Sequence, residues 1–342
     1  MKIGILGFAH GHVNAYCGRW CESPQMDIQV AAGWDHDQAR LDRAGATYGL
    51  TPCDSVDDLL AQDIDAVVIA AETLYHAELV GKAAAAGKAI VLQKPMALTL
   101  EDADRIVTAV ENSGVPFSMA WQMRVDPQNH EMKAMIDDGT LGRIFQVRRR
   151  HCLGFCRNPQ NKSSWHLNPK YNRDIFADDA AHALDFLYWI FGMPVSVTAE
   201  LGTLMHPAIA NDHAIVILRY GNGMMAEVSS SFCCVAGENT TEITAEKGSV
   251  IQNFGDAVSA GSPRTEQAVC LKWLLDGDTD WRVSGDPGVS DQGCRIQALA
   301  PPLAAFLHGD RPPIATAAEG RDVLRLVLAA YESHETGRRI TL

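Results

Sequence analysis

The sequence of 342 residues lacks an excess of positive charge, a cysteine framework and any long apolar run, and each absence removes a class of function. Lysine and arginine number 29 against 42 aspartates and glutamates, a net charge of −13, which argues against binding to a phosphate backbone. Nucleic acid is therefore not an expected partner. No stretch approaches the roughly 20 apolar residues of a membrane-spanning helix. The first residues run straight into a strand-like segment without a basic leader, an apolar core or a cleavage site, so the expected location is cytoplasmic. Nine cysteines are scattered along the chain, with no C-x-x-C pair. His151, Cys152 and Cys156 come nearest to a ligand set but have no second cluster at matching spacing, so no metal is expected and the thiols read as reduced and mostly buried. Internal repeats and low-complexity tracts are also missing.

What remains is an ordinary globular composition, 47% apolar and 21% charged, in a chain long enough for two domains. From residue 2 to about 120, strands (2–7, 27–33, 65–70, 89–92, 116–120) alternate with helices (12–22, 37–48, 75–87, 100–113). That order predicts an α/β fold with a doubly wound parallel sheet. Gly49, Gly87 and Gly114 mark helix ends. After Gly139 the runs lengthen and alternate, at 143–152, 195–204, 213–220, 224–233 and 241–253, which predicts a second α/β domain with a largely antiparallel open sheet. Helices are expected at 178–191 and 317–335, and 255–290 is expected to be irregular.

Three constellations carry chemistry. After the first strand come Gly7, Phe8, Ala9, His10, Gly11 and His12, where a dinucleotide fold places G-x-G-x-x-G before a helix whose N-terminus holds the pyrophosphate. Ala9 and His12 stand where the second and third glycines belong. Asp35, after the second strand, could accept hydrogen bonds from ribose hydroxyls and would repel a 2′-phosphate. With His36 beside it and no arginine, NAD is expected over NADP. The alternative is a plain βαβ loop followed by a turn aspartate.

The second constellation is the strand 89–92 closed by Gln93, Lys94 and Pro95, a buried run with one charge at its carboxyl end, where open α/β sheets bind ligands. A lysine there either caps the sheet at the surface or points into a cleft. The third is Asp178, His182 and Asp185, at i, i+4 and i+7 on a helix and so on one stripe. A polar stripe usually faces solvent, but a histidine flanked one turn away on each side by carboxylates is also the arrangement a general base requires.

Together these residues resemble the family of glucose-fructose oxidoreductase and inositol dehydrogenase, Gfo/Idh/MocA, over almost the entire chain. Gln93-Lys94-Pro95 resembles its E-K-P motif, and Ala71-Glu72-Thr73-Leu74-Tyr75-His76 its T-P-N-x-x-H loop. Arg124-Val125-Asp126-Pro127 falls where R-F-x-P begins the linking helix, and Gly139-Thr140-Leu141-Gly142-Arg143-Ile144 resembles the approach to the second domain. Trp165 precedes the substrate helix, and Asp178, His182 and Asp185 match D-x-G-x-H-x-x-D.

The resemblance implies a Rossmann domain at 1–122 and a substrate-binding and oligomerisation domain at 123–342, with helix 317–335 packing back on the first. It implies an NAD-dependent dehydrogenase acting on a secondary alcohol of a sugar, sugar acid or cyclitol, and a homodimer or homotetramer. Lys94, His182 and Asp178 are the implied catalytic set. Gly7 to His12, Asp35, Ala71, Glu72, His76, Gln93 and Lys94 would hold the cofactor, while Arg124, His151, Trp165 and Arg173 would join the catalytic set around the substrate. The same apparatus could serve a redox-neutral lyase, glycosidase or epimerase, or a non-catalytic sensor of sugar or dinucleotide. Departures include Gln93 for the motif glutamate, Glu72 and Thr73 for Pro-Asn, and Asn172-Arg173-Asp174 where the family has three glycines; Arg173 or Asp174 is therefore expected to touch the substrate.

Overall fold

A computed structural model describes residues 1–205, 207–237, 239–252, 269–288 and 291–342. In chain order the first elements are β1 (Lys2–Leu6), α1 (His12–Glu22), β2 (Gln29–Trp34), α2 (Gln38–Tyr48), β3 (Thr51–Pro52), α3 (Val56–Leu60), β4 (Ala66–Ile69), α4 (His76–Ala85), β5 (Ala89–Leu92), α5 (Leu100–Ser113) and β6 (Phe117–Met119). Next come α6 (Pro127–Asp137), β7 (Ile144–Cys152), α7 (Pro169–Asn172), α8 (Ala181–Phe191), β8 (Ser196–Gly202), β9 (His213–Arg219), β10 (Met225–Ser231), β11 (Asn239–Ala245) and β12 (Gly248–Gln252). The last are β13 (Leu271–Leu275), β14 (Arg282–Val283), α9 (Gln292–Gln297), α10 (Ala300–Leu307), α11 (Ala317–Thr336) and β15 (Ile340–Thr341). The chain divides into two units, one of residues 1–122, 169–172 and 296–324, the other of 123–168, 173–295 and 325–342.

The first unit holds a six-stranded sheet in the order β3-β2-β1-β4-β5-β6, parallel throughout. Its central strands are apolar at consecutive positions because both faces are covered. Ile5, Leu6, Val68, Ile69, Val91 and Leu92 have no exposed surface, and each such side chain contributes about 1.5–3 kcal/mol by leaving water. Thr99 caps α5 by accepting from the Asp102 amide, while its hydroxyl donates to the Asp102 carboxylate. Gly49, Gly87 and Gly114 adopt left-handed φ of 67°, 68° and 67°, as their helix-ending positions demand.

The second unit holds a nine-stranded sheet in the order β14-β13-β12-β11-β7-β10-β9-β8-β15. β10 runs parallel to β7, and every other adjacent pair is antiparallel. Alternation is clean in β9, where Ala214, Val216 and Leu218 are buried. Ile215 and Ile217 on its other face remain 53% and 43% exposed.

Three expectations need correction. The run 241–253 is two antiparallel strands, β11 and β12, because Glu246 and Lys247 form a tight turn between them; residue 253 lies outside the described residues. The described part of 255–290 is not irregular throughout: β13, with Leu271, Trp273 and Leu275, pairs along β12, and β14 pairs with β13. Of that stretch, 255–268 and 289–290 lie outside the described residues. Finally, the helix expected at 178 becomes α-helical only at Ala181, because Phe176–Ala180 forms a π-helical turn. Among the described residues, no helix is long and apolar enough to cross a membrane.

Candidate active site

In the first unit, the loop after β1 is shaped by Gly7. Its φ is +88°, and a Cβ there would lie 2.4 Å from the Ala71 backbone, so the end of β1 can approach the end of β4 only with glycine. The Phe8 amide donates to Asp35 Oδ2 at 2.7 Å, and the His10 amide to the Ala70 carbonyl at 2.9 Å. The His10 and His12 rings meet edge to face, 4.3 Å between centroids. α1 then begins with Gly11 at its N-cap, with no side-chain cap and no acidic residue in the first turn. A Cβ on Gly11 would meet nothing within 4 Å. The first amides of this helix are taken within the loop itself, His12 N by His10 Nδ1 at 3.4 Å, Val13 N by the His10 carbonyl at 3.1 Å and Asn14 N by the Gly11 carbonyl at 3.2 Å, while the positive end of the helix dipole still faces the loop.

Asp35 is buried and more committed than the sequence implies. Its Oδ1 accepts from the Asp37 amide at 2.8 Å and from Arg40 Nη2 at 3.0 Å. Arg40 Nη2 also donates to Glu72 Oε1 at 2.9 Å, and His36 Nε2 lies 3.5 Å from the same oxygen. The expectation that no arginine stands beside Asp35 is therefore wrong, because the first turn of α2 folds Arg40 back over it. Burial works against the Arg40 charge, but Asp35 and Glu72 hold its pKa above the ordinary value. Two carboxylates around one guanidinium keep this corner net negative, which still disfavours a 2′-phosphate.

His76 is fully buried, its ring nitrogens 3.0 Å from the Pro95 carbonyl and 3.1 Å from that of Ala71. Burial lowers its pKa despite those acceptors. It therefore ties the Ala71 loop to the segment after β5. Gln93, also buried, donates its amide to the Tyr16 hydroxyl, while Lys94, two residues past the end of β5, is 2% exposed. The surface-capping alternative for Lys94 is excluded. Thr73 donates to Asn172 at 2.6 Å within the same unit.

In the second unit, the π-helical turn decides which carboxylate meets which histidine. A π turn carries one extra residue relative to an α turn, so side chains before it are rotated against those after it. Asp179 Oδ1 lies 3.6 Å from His182 Nε2, and its Oδ2 lies 3.7 Å from His151 Nε2. Asp178 Oδ2 instead sits 3.0 Å from His166 Nδ1, and the His166 ring stacks on Trp165 at 3.9 Å. Asp185 is held by Arg124, whose Nη2 donates to Oδ1 at 2.8 Å and whose Nε reaches the same carboxylate at 3.1 Å. The stripe does not face solvent: Asp178, His182 and Asp185 are 4%, 1% and 0% exposed.

Sequence reasoning missed Asp179. It sits beside Asp178 and three residues before His182, a spacing visible in the sequence, but the π turn that favours it is not. Arg173 is exposed at a left-handed φ of 59°, its guanidinium over the Tyr331 ring at 4.5 Å. Asp174 is buried, and its carboxylate accepts from the Tyr331 hydroxyl, from the Ala177 amide at 3.0 Å and from Asn211 at 2.6 Å. All nine cysteines are free.

Comparison with known proteins agrees with both folds. Residues 1–121 match the oxidoreductase family with an NAD-binding Rossmann fold, and residues 129–251 match the GFO/IDH/MocA C-terminal domain. The chain is 30% identical to inositol 2-dehydrogenase of Rhizobium meliloti (strain 1021) over 259 residues, covering 73% of this chain and 74% of that one. It is 30% identical over 235 residues to D-apiose dehydrogenase of Paraburkholderia graminis, covering 67% of this chain and 59% of that one. Among solved structures, the WlbA dehydrogenase of Bordetella pertussis, in complex with NADH and UDP-GlcNAcA, superposes with a TM-score of 0.80 at 26% identity, covering 100% of this chain and 98% of that one.

The N-terminus of α1, without an acidic residue in its first turn, and the close approach permitted by Gly7 fit a dinucleotide pyrophosphate, and the carboxylates of the Asp35 corner fit the unphosphorylated ribose of NAD. The chain belongs to the GFO/IDH/MocA family of oxidoreductases, with an NAD-binding Rossmann domain.

Proposed function

We propose that the protein is an NAD-dependent dehydrogenase of a secondary alcohol in a sugar, sugar acid or cyclitol. The observation that carries this reading is the buried His182, with Asp179 against one ring nitrogen and His151 on the other oxygen of that carboxylate. A neutral histidine whose proton can be stabilised by an adjacent carboxylate is suited to accept the proton of a hydroxyl group. Asp179 sets its orientation, and His151 extends the polar chain away from it. Lys94 is assigned the role of hydrogen-bonding a developing alkoxide through its ammonium. Asp178 and His166 form a second pair suited to hold hydroxyl groups of a polyol. Bound NAD supplies the hydride acceptor. The substrate class rests on likeness to relatives that act on inositol and apiose.

The exposed face of the second sheet, with Ile215, Ile217 and Met225, supports a homo-oligomer built on it.

Incubation with a panel of cyclitols, sugars and sugar acids, followed at the absorbance of reduced nicotinamide, tests the reading. Net NADH formation with a member of the panel supports it. Product formation without net NADH would show redox-neutral chemistry instead, and no turnover with any polyol would remove the proposal.

A further inference from the structure

Away from the histidines just described, the ends of three neighbouring strands bring together a set of side chains that the dehydrogenase reading does not use. β7, β10 and β9 lie side by side, so the turn after β7, the residues after β10 and the start of β9 converge at one end of the sheet. Backbone hydrogen bonds fix that convergence. Leu153 N donates to Ser231 O at 2.7 Å, Cys156 N to Phe232 O at 2.9 Å, and Phe232 N to Asp212 O at 3.0 Å. Ligand atoms of Asp212, His213 and Cys233 all lie within 4.8 Å of one another. The Cys156 amide, bound to the Phe232 carbonyl at 2.9 Å, places Cys156 beside Cys233, and its thiol is the candidate for a fourth donor.

The surroundings favour a cation. Asp212 has no exposed surface, and its carboxylate is oriented by the amides of Leu204 and Met205, each at 2.9 Å. Among the described residues, no lysine or arginine pairs with it; its recorded ion-pair partner is His213. His213 is in turn oriented by Ser231 Oγ, 3.0 Å from Nε2. Two sulfurs, one imidazole and one carboxylate are the donor types that a tetrahedral zinc-class ion prefers over calcium or magnesium. His213 also lines a cavity of about 570 Å³ that offers a path from solvent.

We propose that Cys156, Cys233, His213 and Asp212 form a structural binding site for a divalent ion of the zinc class. Binding forms two metal–sulfur bonds, releases the two thiol protons to solvent and changes no oxidation state. With four protein donors the site is closed, so its role is to pin three strand ends, including the end of β7 that carries His151.

The test uses the intact, reduced protein after chelation, titrated with Co²⁺ and then with Zn²⁺. The expected result is one equivalent of cobalt bound with a thiolate-to-cobalt charge-transfer band, which zinc displaces, and a rise in Tm with either ion. Cys233→Ser and Cys156→Ser each weaken the band, because one thiolate remains, and the double variant loses it, while His213→Asn weakens binding by more than the roughly tenfold loss expected of a merely supporting residue. Cys294→Ser, at an exposed thiol, keeps it. The wild-type titration decides even if a variant fails to fold: no charge-transfer band at one equivalent overturns the site. Weakening of the band in Cys152→Ser, with its full strength kept in Cys156→Ser, overturns this donor set.

Discussion

Arg40 Nη2 donates to Glu72 Oε1 at 2.9 Å while the same nitrogen lies 3.0 Å from Asp35 Oδ1. One guanidinium is thereby shared between the ends of two strands, β2 and β4, at the corner we propose for the adenosine ribose of NAD. Arg40 and Arg43 also line a cavity of about 290 Å³ beside Phe8. On the proposed reading, discrimination against NADP depends on Glu72 neutralising Arg40, a role that the Pro of the family motif cannot fill.

Glu72→Gln removes one of the two carboxylates on Arg40. The NADP-to-NAD affinity ratio is expected to rise about tenfold, ~1.4 kcal/mol, by calorimetry. An unchanged ratio would mean that Asp35 alone sets the preference.

Asp174 gives a pH signature. Burial raises its pKa above the ordinary carboxylate value, against the hydrogen bonds from Tyr331, Ala177 and Asn211. The unfolded carboxyl ionises first, near pH ~3.9, so the native state holds its proton to higher pH and this group's contribution to stability falls as pH rises from there through the folded pKa. Thermal unfolding of wild type and Asp174→Asn is expected to show the wild type losing ground to the variant as pH rises across that window. A difference that is flat, or that moves the other way, would refute it.

The open sheet face makes a third prediction. Ile217→Lys places a charge in the centre of the exposed row formed with Ile215 and Met225. Light scattering after size-exclusion chromatography is expected to show a smaller species than wild type, with unchanged far-UV circular dichroism. Equal masses would remove that face from the interface.

Much of this architecture is legible in the sequence, because apolar runs such as Val67-Val68-Ile69 and Ile90-Val91-Leu92 require cover on both faces and so specify parallel strands. Lys94 is legible for the same reason, being the charge that ends such a run. What escapes is set by local helical pitch or by distant juxtaposition. A π turn cannot be read from Phe176 to Ala180, and it exchanges Asp178 for Asp179 beside His182. Arg40 reaches Asp35 only because α2 starts three residues after it, at Gln38, and carries Arg40 in its first turn. Asp212, His213 and Cys233 are brought together by strand order, which spacing does not encode.

The central claim is that His182 takes the proton of a secondary alcohol that NAD oxidises. The most direct measurement is the kcat of His182→Asn beside its NADH dissociation constant, on a polyol that the wild type oxidises. The account predicts a kcat lower by about 10²–10⁴-fold with NADH affinity unchanged. A variant that retains wild-type kcat, or that loses NADH binding in equal measure, would contradict it.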